Sequence, residues 1–194
     1  MTPRVPPGGD AAASPAAGPR QLRPVEVKRL NREWRRASGA RLALLLDSVN
    51  QPFNVGSIVR SAAAFGAEHL WLCGSTALLS HPGVGKTALG TQRLVQATAE
   101  PSPVAAAKAA AAAGLRVVAI ELASDAVPLH EAPLDGDVCL AFGNEDHGCS
   151  AALLAAADAI AYIPQPGRVG SLNVAVAAAV AMAEARRRAW TAPG

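Results

Sequence analysis

Charged and aromatic residues are scarce in this 194-residue chain, at 17% and 4% of the sequence, while hydrophobic residues make up 51%. So little charge, combined with so much apolar content, excludes a chain that is mainly disordered. A chain of this length can bury a sizeable core, and we expect one globular domain with an extension. Because much of the apolar content is alanine, the core should consist of Leu, Val and Ala, with close contacts between helices and sheet.

Only three cysteines are present, and they show neither CxxC spacing nor the neighbouring histidine pair of a metal site. Cys73 and Cys139 lie in apolar runs that are typical of strands, so we expect both to be buried thiols. The pattern favours a reducing compartment over a secreted, disulfide-bonded protein. We therefore expect no metal.

Long hydrophobic runs are also missing, since no segment reaches 18 strongly apolar residues. The N-terminus lacks the continuous apolar core of a signal peptide, and residues 1–22 are instead rich in Pro, Gly and Ala. We predict that residues 1–22 form a disordered tail, and that the protein is cytoplasmic and makes no contact with a membrane.

A nucleoside triphosphatase loop is excluded by a missing glycine. The stretch SHPGVGKT resembles the motif G-x-x-x-x-G-K-[ST], but Ser80 stands where the motif needs its first glycine. Without that glycine the loop cannot form the usual nest of backbone amides around a phosphate.

The net charge of +3 is small, but cations are concentrated in residues 23–38, which we predict to form a basic helical extension. Val27, Leu30 and Trp34 give this helix a narrow apolar stripe. The stripe could dock the helix on the following domain and its cations could contact phosphates, and the two roles are compatible. The cations are Lys28, Arg29, Arg32, Arg35 and Arg36. A second cluster, Arg186 to Arg188, could contact phosphates or simply suit the negative end of a helix dipole.

Short apolar runs of strand type alternate with small-residue helices over residues 39–190. The alternation predicts an α/β fold, a mainly parallel sheet with helices on both faces. Three strands run directly into loops rich in Asn, Gly or Pro that then open a helix, in LLLDSVNQPFNVG, LAFGNEDHG and IPQPGRVGSLNV. Ligands of such sheets bind at loops that leave the carboxyl ends of strands, so we expect the three loops to form one site.

Polar residues in these three junctions are the candidate site residues. They are Asn54, Arg60, Asn144, Glu145, Ser171 and Asn173. Asn54 is predicted to be the N-cap of the first of these helices, and Ser171 is predicted to cap the last. Arg60 lies outside the apolar arc of its helix, so it should face solvent, a partner subunit or the site.

The same residues form three motifs. These are N-x-G-x-x-x-R at Asn54, Gly56 and Arg60, F-G-N-E-x-x-G from Phe142 to Gly148, and S-L-N-V from Ser171 to Val174. In this order, with each at a strand-to-helix junction, they resemble motifs 1, 2 and 3 of the SpoU (TrmH-type) RNA ribose 2′-O-methyltransferases.

The resemblance covers about residues 41–188 and implies a SpoU-type methyltransferase domain over residues 39–190. It also implies a C-terminal trefoil knot, S-adenosylmethionine as cofactor, and transfer of the methyl group to a ribose 2′-hydroxyl of RNA. The positions that match the family's catalytic and positioning residues are Arg60, Asn54, Glu145, Ser171 and Asn173. Cofactor contacts are expected at Gly143, Asn144, Gly148, Ile163, Leu172 and Val174.

Family members are dimers, so the resemblance implies a homodimer whose sites draw residues from both subunits, and it makes RNA the partner of the basic extension. The short extensions and the ending AEARRR resemble the transfer-RNA guanosine enzymes, so tRNA is favoured over rRNA as substrate. Three positions depart from the family pattern. Asp146 stands where the family commonly has glycine, Cys149 where it commonly has leucine, and Gly170 where it usually has a polar residue. These departures bear on the fit of the substrate and the rigidity of the loops, and not on the class of enzyme.

Other functions stay open on the sequence. One is a knotted RNA-binding protein without catalysis, which would bind RNA but incorporate no methyl group. Another is methylation of rRNA instead of tRNA. The third is a different α/β enzyme that acts on a small molecule, whose activity should survive removal of residues 1–38.

Overall fold

The computed structural model describes residues 19–191. Residues 1–18 of the predicted disordered tail lie outside this range. Helix α1 (Pro24–Ala37) belongs to a first compact unit, and a second unit begins at Ala40. Between residues 19 and 191, no helix is long and apolar enough to cross a membrane.

In the part of the chain that the structure describes, seven strands form one parallel sheet. They are β1 (Leu42–Asp47), β2 (His69–Cys73), β3 (Gln96–Glu100), β4 (Arg116–Ile120), β5 (Val127–Pro128), β6 (Val138–Phe142) and β7 (Ala159–Tyr162). Their order across the sheet is β3-β2-β1-β6-β4-β7-β5, and each neighbouring pair is parallel. The predicted α/β fold with a mainly parallel sheet is therefore confirmed.

Helices of the second unit lie between strands, and the last of them follows the last strand. They are α2 (Pro52–Phe65), α3 (Pro82–Ala88), α4 (Pro103–Ala112), α5 (Ala151–Ala156) and α6 (Val174–Thr191). A proline starts α2, α3 and α4, at a position where the missing amide hydrogen would have no partner within the helix. Gly66 ends α2 with a φ of 67°, a left-handed conformation that glycine adopts at low cost.

Residues of β1 alternate between two apolar clusters, as expected for a strand with helices on both faces. Leu44 and Leu46 belong to the cluster that contains buried residues of α2 and α6. Ala43 and Leu45 belong to the other cluster, with buried residues of α4 and α5. Alanines make up most of the buried positions of α4 and α6, which lets these helices approach the sheet closely.

The buried Arg186 joins the last helix to the end of α2. Its guanidinium donates hydrogen bonds to three backbone carbonyls, those of Phe65 at 2.8 Å, Gly66 at 2.9 Å and Ala40 at 2.6 Å. Arg187 and Arg188 instead form ion pairs with Glu184, at 2.6 and 3.2 Å. Arg186 is therefore a structural residue and is not available for phosphate contact.

The three cysteines are free and buried. Burial raises the pKa of the Cys73 thiol to about 12, and it also raises the pKa values of Cys139 and Cys149. All three thiols therefore stay protonated near neutral pH, and the prediction of buried thiols at Cys73 and Cys139 is confirmed.

Two strands were not predicted from the sequence. Strand β3 has the sequence QATAE, lies at the edge of the sheet, and leaves nearly all of its side chains exposed, so it lacks the apolar signal of a core strand. Strand β5 is only two residues long and lies at the other edge.

Candidate active site

A cavity of about 630 Å³ opens at the carboxyl ends of β1, β6, β4 and β7. Its lining comes from the loop after each of these strands, including Gln51 and Asn54 after β1 and residues 142–148 at the end of β6. This is the edge of the sheet at which the sequence predicts a ligand site. The volume is in the range of small-molecule pockets.

Asn54 joins the three motifs through its side-chain amide. Its Nδ2 donates a hydrogen bond to Oε1 of Glu145 at 2.9 Å, and its Oδ1 accepts one from Nδ2 of Asn173 at 3.0 Å. A carboxylate can only accept, so the amino group of Asn54 must face Glu145, which leaves its oxygen for Asn173. All three side chains line the cavity.

Glu145 is also held by the backbone of the loop between β1 and α2. Its carboxylate oxygens accept hydrogen bonds from the amides of Asn50 at 3.3 Å and Gln51 at 3.2 Å. Together with Asn54, three donors surround this carboxylate, and none of them is cationic. The second motif thereby fixes the loop that carries the first.

Asn144 organises the loop after β6. Its backbone amide and carbonyl pair with the carbonyl and amide of Gly148 at 3.0 and 2.9 Å, which closes the loop. Its side-chain oxygen accepts hydrogen bonds from the amides of Asp146 and His147 inside that loop. Its Nδ2 donates to the carbonyl of Ser48 at 2.8 Å, so the loop is also fixed to the end of β1.

Two glycines in this loop are required by close packing. A Cβ atom at Gly143 would lie 2.1 Å from the backbone of Gly148 and Cys149. Gly148 has a φ of +70°, and a Cβ atom there would lie 2.3 Å from a carboxylate oxygen of Glu121. Backbone atoms leave no room for a side chain at Gly143, while at Gly148 the positive φ favours glycine.

The two predicted helix caps are wrong. Helix α2 begins at Pro52 with Gln51 as the cap residue, so Asn54 lies inside the first turn and is free to contact the other motifs. At α6 the cap is Asn173, whose Oδ1 accepts hydrogen bonds from the amides of Ala175 and Val176 at 2.9 and 3.4 Å. Ser171 lies two residues earlier and lines the cavity.

The structure brings nearly all of the predicted site residues together. Those that line the cavity are Asn54, Gly143, Asn144, Glu145, Gly148, Ile163, Ser171, Leu172, Asn173 and Val174. Arg60 does not. It lies six residues after Asn54 on α2, which rotates its side chain by about 120° from that of Asn54. Arg60 is exposed, and no hydrogen bond or ion pair joins it to another residue between 19 and 191.

Some residues of the cavity were missed by the sequence reasoning. Glu121 and Leu122 follow β4, while Tyr162 and Gln165 lie at the end of β7 and just after it. Only their position after a strand could have identified them. Because β4 was a predicted strand of a parallel sheet, its carboxyl end must lie at the same edge of the sheet as the other loops.

The cavity is acidic. Glu121, Glu145 and Asp146 contribute carboxylates to the lining, and no lysine or arginine does. This lining disfavours a phosphate-rich ligand and favours a cationic or neutral one. Within residues 19–191 no group of three His, Cys, Asp or Glu side chains could hold a metal ion. Cys149 is no nucleophile either, because burial, followed by the Glu121 and Asp47 carboxylates, raises the pKa of its thiol.

The predicted cations of the basic extension all lie on α1. This helix buries none of its residues, and its cations Lys28, Arg29, Arg32, Arg35 and Arg36 are exposed. Arg29 forms an ion pair with Glu33 at 3.2 Å, one helical turn away. The rest of this set forms no ion pair with a residue in the described range.

The sequence model of the SpoU rRNA methylase family matches residues 41–183. The chain belongs to this family. The matched range contains every strand of the sheet and all three motifs, and it ends within α6.

Two relatives of this SpoU chain have named reactions. It is 36% identical over 143 residues to the 23S rRNA (guanosine(2553)-2′-O)-methyltransferase RlmP of Bacillus subtilis, an alignment that covers 73% of this chain and 56% of that protein. It is 33% identical over 147 residues to the tRNA (guanosine(18)-2′-O)-methyltransferase of Thermus thermophilus, covering 76% of this chain and 75% of that protein. The chain thus spans just over half the length of several curated relatives that it matches.

A solved structure of the family is similar over most of the domain. It is the SpoU methyltransferase AviRb from Streptomyces viridochromogenes in complex with the cofactor AdoMet. The TM-score is 0.71 at 30% identity, and the match covers 79% of this chain and 60% of that chain.

Proposed function

We propose that this SpoU protein transfers a methyl group from S-adenosylmethionine to a ribose 2′-hydroxyl of RNA. The observation that carries the proposal is the contact of Asn54 with both Glu145 and Asn173 beside one cavity. The family's three motifs are far apart in the sequence, and here they share one hydrogen-bonded network. The trefoil knot that the resemblance implies is part of the same proposal.

The cavity suits this cofactor. S-adenosylmethionine carries a sulfonium cation and no phosphate, which fits a lining with three carboxylates and no lysine or arginine. Glycine at position 143 lets the backbone of Gly148 and Cys149 pack directly against the end of β6, which shapes this wall of the cavity. The residues that would hold it are Gly143, Asn144, Gly148, Ile163, Leu172 and Val174. When bound, it supplies an activated methyl group.

The acceptor hydroxyl must be oriented in line with that methyl group, and its proton must pass to solvent at the open rim of the cavity as the oxygen–methyl bond forms. In our proposal Asn54, Glu145, Ser171 and Asn173 orient the ribose at the rim of the cavity. Arg60 contacts the attacking hydroxyl or the adjacent phosphate, because guanidinium groups stay charged and donate hydrogen bonds to oxygen.

The position of Arg60 supports a proposed arrangement in which a second copy of the chain completes the site. Arg60 is exposed and faces away from the cavity of its own subunit, on the same stripe of α2 as the exposed Phe53, seven residues earlier. The neighbouring helix α6 exposes Val176 and Val180, one turn apart. We propose that a second copy covers these apolar side chains, so that Arg60 of each subunit reaches the cavity of the other.

Co-expression of two inactive variants tests this arrangement. Arg60→Ala and Asn173→Ala each lack one part of the site. If the site is shared, a mixed dimer contains one intact cavity facing one intact arginine, and methyl transfer returns to a measurable fraction of wild type. If each subunit uses its own Arg60, the mixed dimer stays inactive, and a monomeric protein in solution would also exclude the proposal.

The basic extension is proposed to bind the RNA backbone. Replacing Arg32, Arg35 and Arg36 with glutamine should lower the slope of log affinity against log salt by about 2 to 3, since each phosphate contact contributes about 0.7 to 0.9. The control is Lys108→Gln, an exposed cation on α4, which should leave the slope unchanged. An unchanged slope in the triple variant would exclude α1 as the RNA contact.

Incorporation of labelled methyl groups into tRNA and, separately, into rRNA from cells that lack the protein tests which RNA is the substrate. We favour tRNA, because the tRNA-modifying Thermus thermophilus relative is matched over 75% of its length, compared with 56% for the rRNA-modifying relative of Bacillus subtilis. Label in tRNA alone supports that choice, and label in rRNA alone overturns it. Binding of RNA without label in either pool, at saturating cofactor, would indicate a binding protein without catalysis.

A further inference from the structure

The carboxylate of Glu121 is fixed at the wall of the cavity by two backbone amides. Its Oε1 accepts a hydrogen bond from the amide of Leu122 at 2.9 Å, and its Oε2 accepts one from the amide of Cys149 at 2.7 Å. Its own amide donates to the carbonyl of Ala161 on β7 at 2.8 Å. The side chain is half-buried and belongs to the lining, so it is positioned before any ligand arrives.

Glu121 still has capacity to accept hydrogen bonds. Each carboxylate oxygen offers about two acceptor sites, and one on each oxygen is used by an amide. No cation pairs with Glu121 in the described part of the chain. The Cys149 thiol is a further neighbour of this carboxylate, which still leaves two fixed oxygens side by side on one wall of the cavity with acceptor capacity for a ligand.

The other two acidic residues of the lining are less suited to this role. The oxygens of Glu145 already accept hydrogen bonds from three donors, those of Asn50, Gln51 and Asn54. Asp146 is exposed at the surface of its loop. Glu121 is therefore the carboxylate of the cavity that is both fixed and open to a ligand.

We propose that Glu121 binds the cofactor by accepting hydrogen bonds from the vicinal hydroxyls of its ribose. Two adjacent acceptors match two adjacent donors, and in S-adenosylmethionine only the ribose 2′,3′-diol provides adjacent hydroxyl groups. This inference rests on the proposed function, because it takes the cofactor from there. It assigns a direct ligand contact to a residue outside the three motifs.

Calorimetric binding of S-adenosylhomocysteine and of its 2′-deoxy and 3′-deoxy forms tests the assignment without any RNA. In wild type, loss of a hydroxyl that donates to a carboxylate should weaken binding by about 10- to 100-fold for at least one of the two analogues. In Glu121→Gln and Glu121→Ala the intact ligand should bind more weakly. In these variants, the affinities for the intact and the deoxy ligands should differ by no more than about twofold.

Asp47→Asn is the matched control. Asp47 holds the residue after Cys149, since its Oδ2 accepts a hydrogen bond from the amide of Ser150 at 3.1 Å, but it does not line the cavity. A variant that only disturbs the loop should therefore keep the full preference for the intact ribose.

Each result supports or overturns the proposal. The proposal is overturned if the wild-type protein binds the intact ligand and both deoxy ligands with equal affinity. It is also overturned if the Glu121 variants prefer the intact ligand as strongly as the wild type does. Both outcomes leave the proposed function standing. Wild type that does not bind S-adenosylhomocysteine at all overturns the cofactor assignment and this inference together.

Discussion

The side chains of Asn54 and Asn173 meet at the wall of the cavity, with Nδ2 of Asn173 donating to Oδ1 of Asn54 at 3.0 Å. The two residues are 119 positions apart in the chain. Asn54 lies in the first turn of α2, and Asn173 caps α6, so this one hydrogen bond joins the starts of two helices. The arrangement of the active site therefore depends on contacts between motifs as much as on the motifs themselves.

Asn54→Ala should reduce methyl transfer by about 100-fold while the protein stays folded. The change leaves Glu145 and Asn173 without their shared partner, and small displacements of positioning groups have effects of this order. The measurement is kcat/KM for labelled methyl transfer. Ser57→Ala is the control, because the Ser57 hydroxyl only donates to the carbonyl of Phe53 within the same helix. Equal activity of both variants would exclude Asn54 from the site.

Gly143→Ala should destabilise the protein by about 1 to 3 kcal/mol and abolish binding of S-adenosylhomocysteine. The added Cβ would lie 2.1 Å from the backbone of Gly148 and Cys149, so the loop must open. Gly170→Ala is the matched control, since Gly170 also lines the cavity but has no atom within 4 Å of an added Cβ. Urea unfolding and calorimetry measure the two effects, and ligand binding by Gly143→Ala at wild-type affinity would contradict this description of the loop.

The core of the sheet could be predicted from sequence because its strands carry strong local signals. β1 and β6 are buried along their whole length and read as continuous apolar runs. β3 could not be predicted, because an exposed edge strand with the sequence QATAE has no apolar pattern to detect. β5 is held by its pairing with β7, which is a tertiary contact.

The sequence predicted the site residues that lie in the three motifs, and it missed several of those outside them. Asn54, Glu145 and Asn173 were predicted, but their mutual hydrogen bonds and the capping role of Asn173 depend on how the loops meet. Arg60 was assigned to the same site, and the structure places it outside the lining of the cavity. Glu121 was not predicted, since a single glutamate after a strand has no distinguishing local pattern.

Arg186→Met should lower the free energy of unfolding by about 3 kcal/mol. The change removes the donors for three carbonyls, those of Phe65, Gly66 and Ala40, and an unsatisfied buried acceptor is costly. Arg187→Met makes the same replacement at the next, exposed position of α6 and should cost less than about 1 kcal/mol. Urea unfolding monitored by far-UV circular dichroism measures both. Equal losses would mean that Arg186 is not the buried link between α2 and α6.

Glu184→Gln should reduce stability near neutral pH and have no effect in acid. Hydrogen bonds from Arg187, and then from Arg188, hold the pKa of Glu184 below its usual value of 4.5, although its burial acts in the opposite direction. A carboxyl group with a lowered folded pKa stabilises the protein above its unfolded pKa, and this stability is lost as the pH falls through the folded value. We expect a difference of about 0.5 to 1 kcal/mol at neutral pH that disappears as the pH falls through the lowered folded pKa of Glu184. Unfolding free energies of both proteins across this range test it, and a constant difference would contradict the ion-pair account.

The position of the transferred methyl group tests the central claim most directly. RNA labelled by this protein is hydrolysed in alkali, because a 2′-O-methyl group blocks cleavage of the adjacent phosphodiester while a base methyl group does not. The account predicts label in alkali-resistant dinucleotides from wild type, and none from Asn54→Ala. Label recovered only in mononucleotides would place the methyl group on a base and contradict transfer to the ribose 2′-hydroxyl.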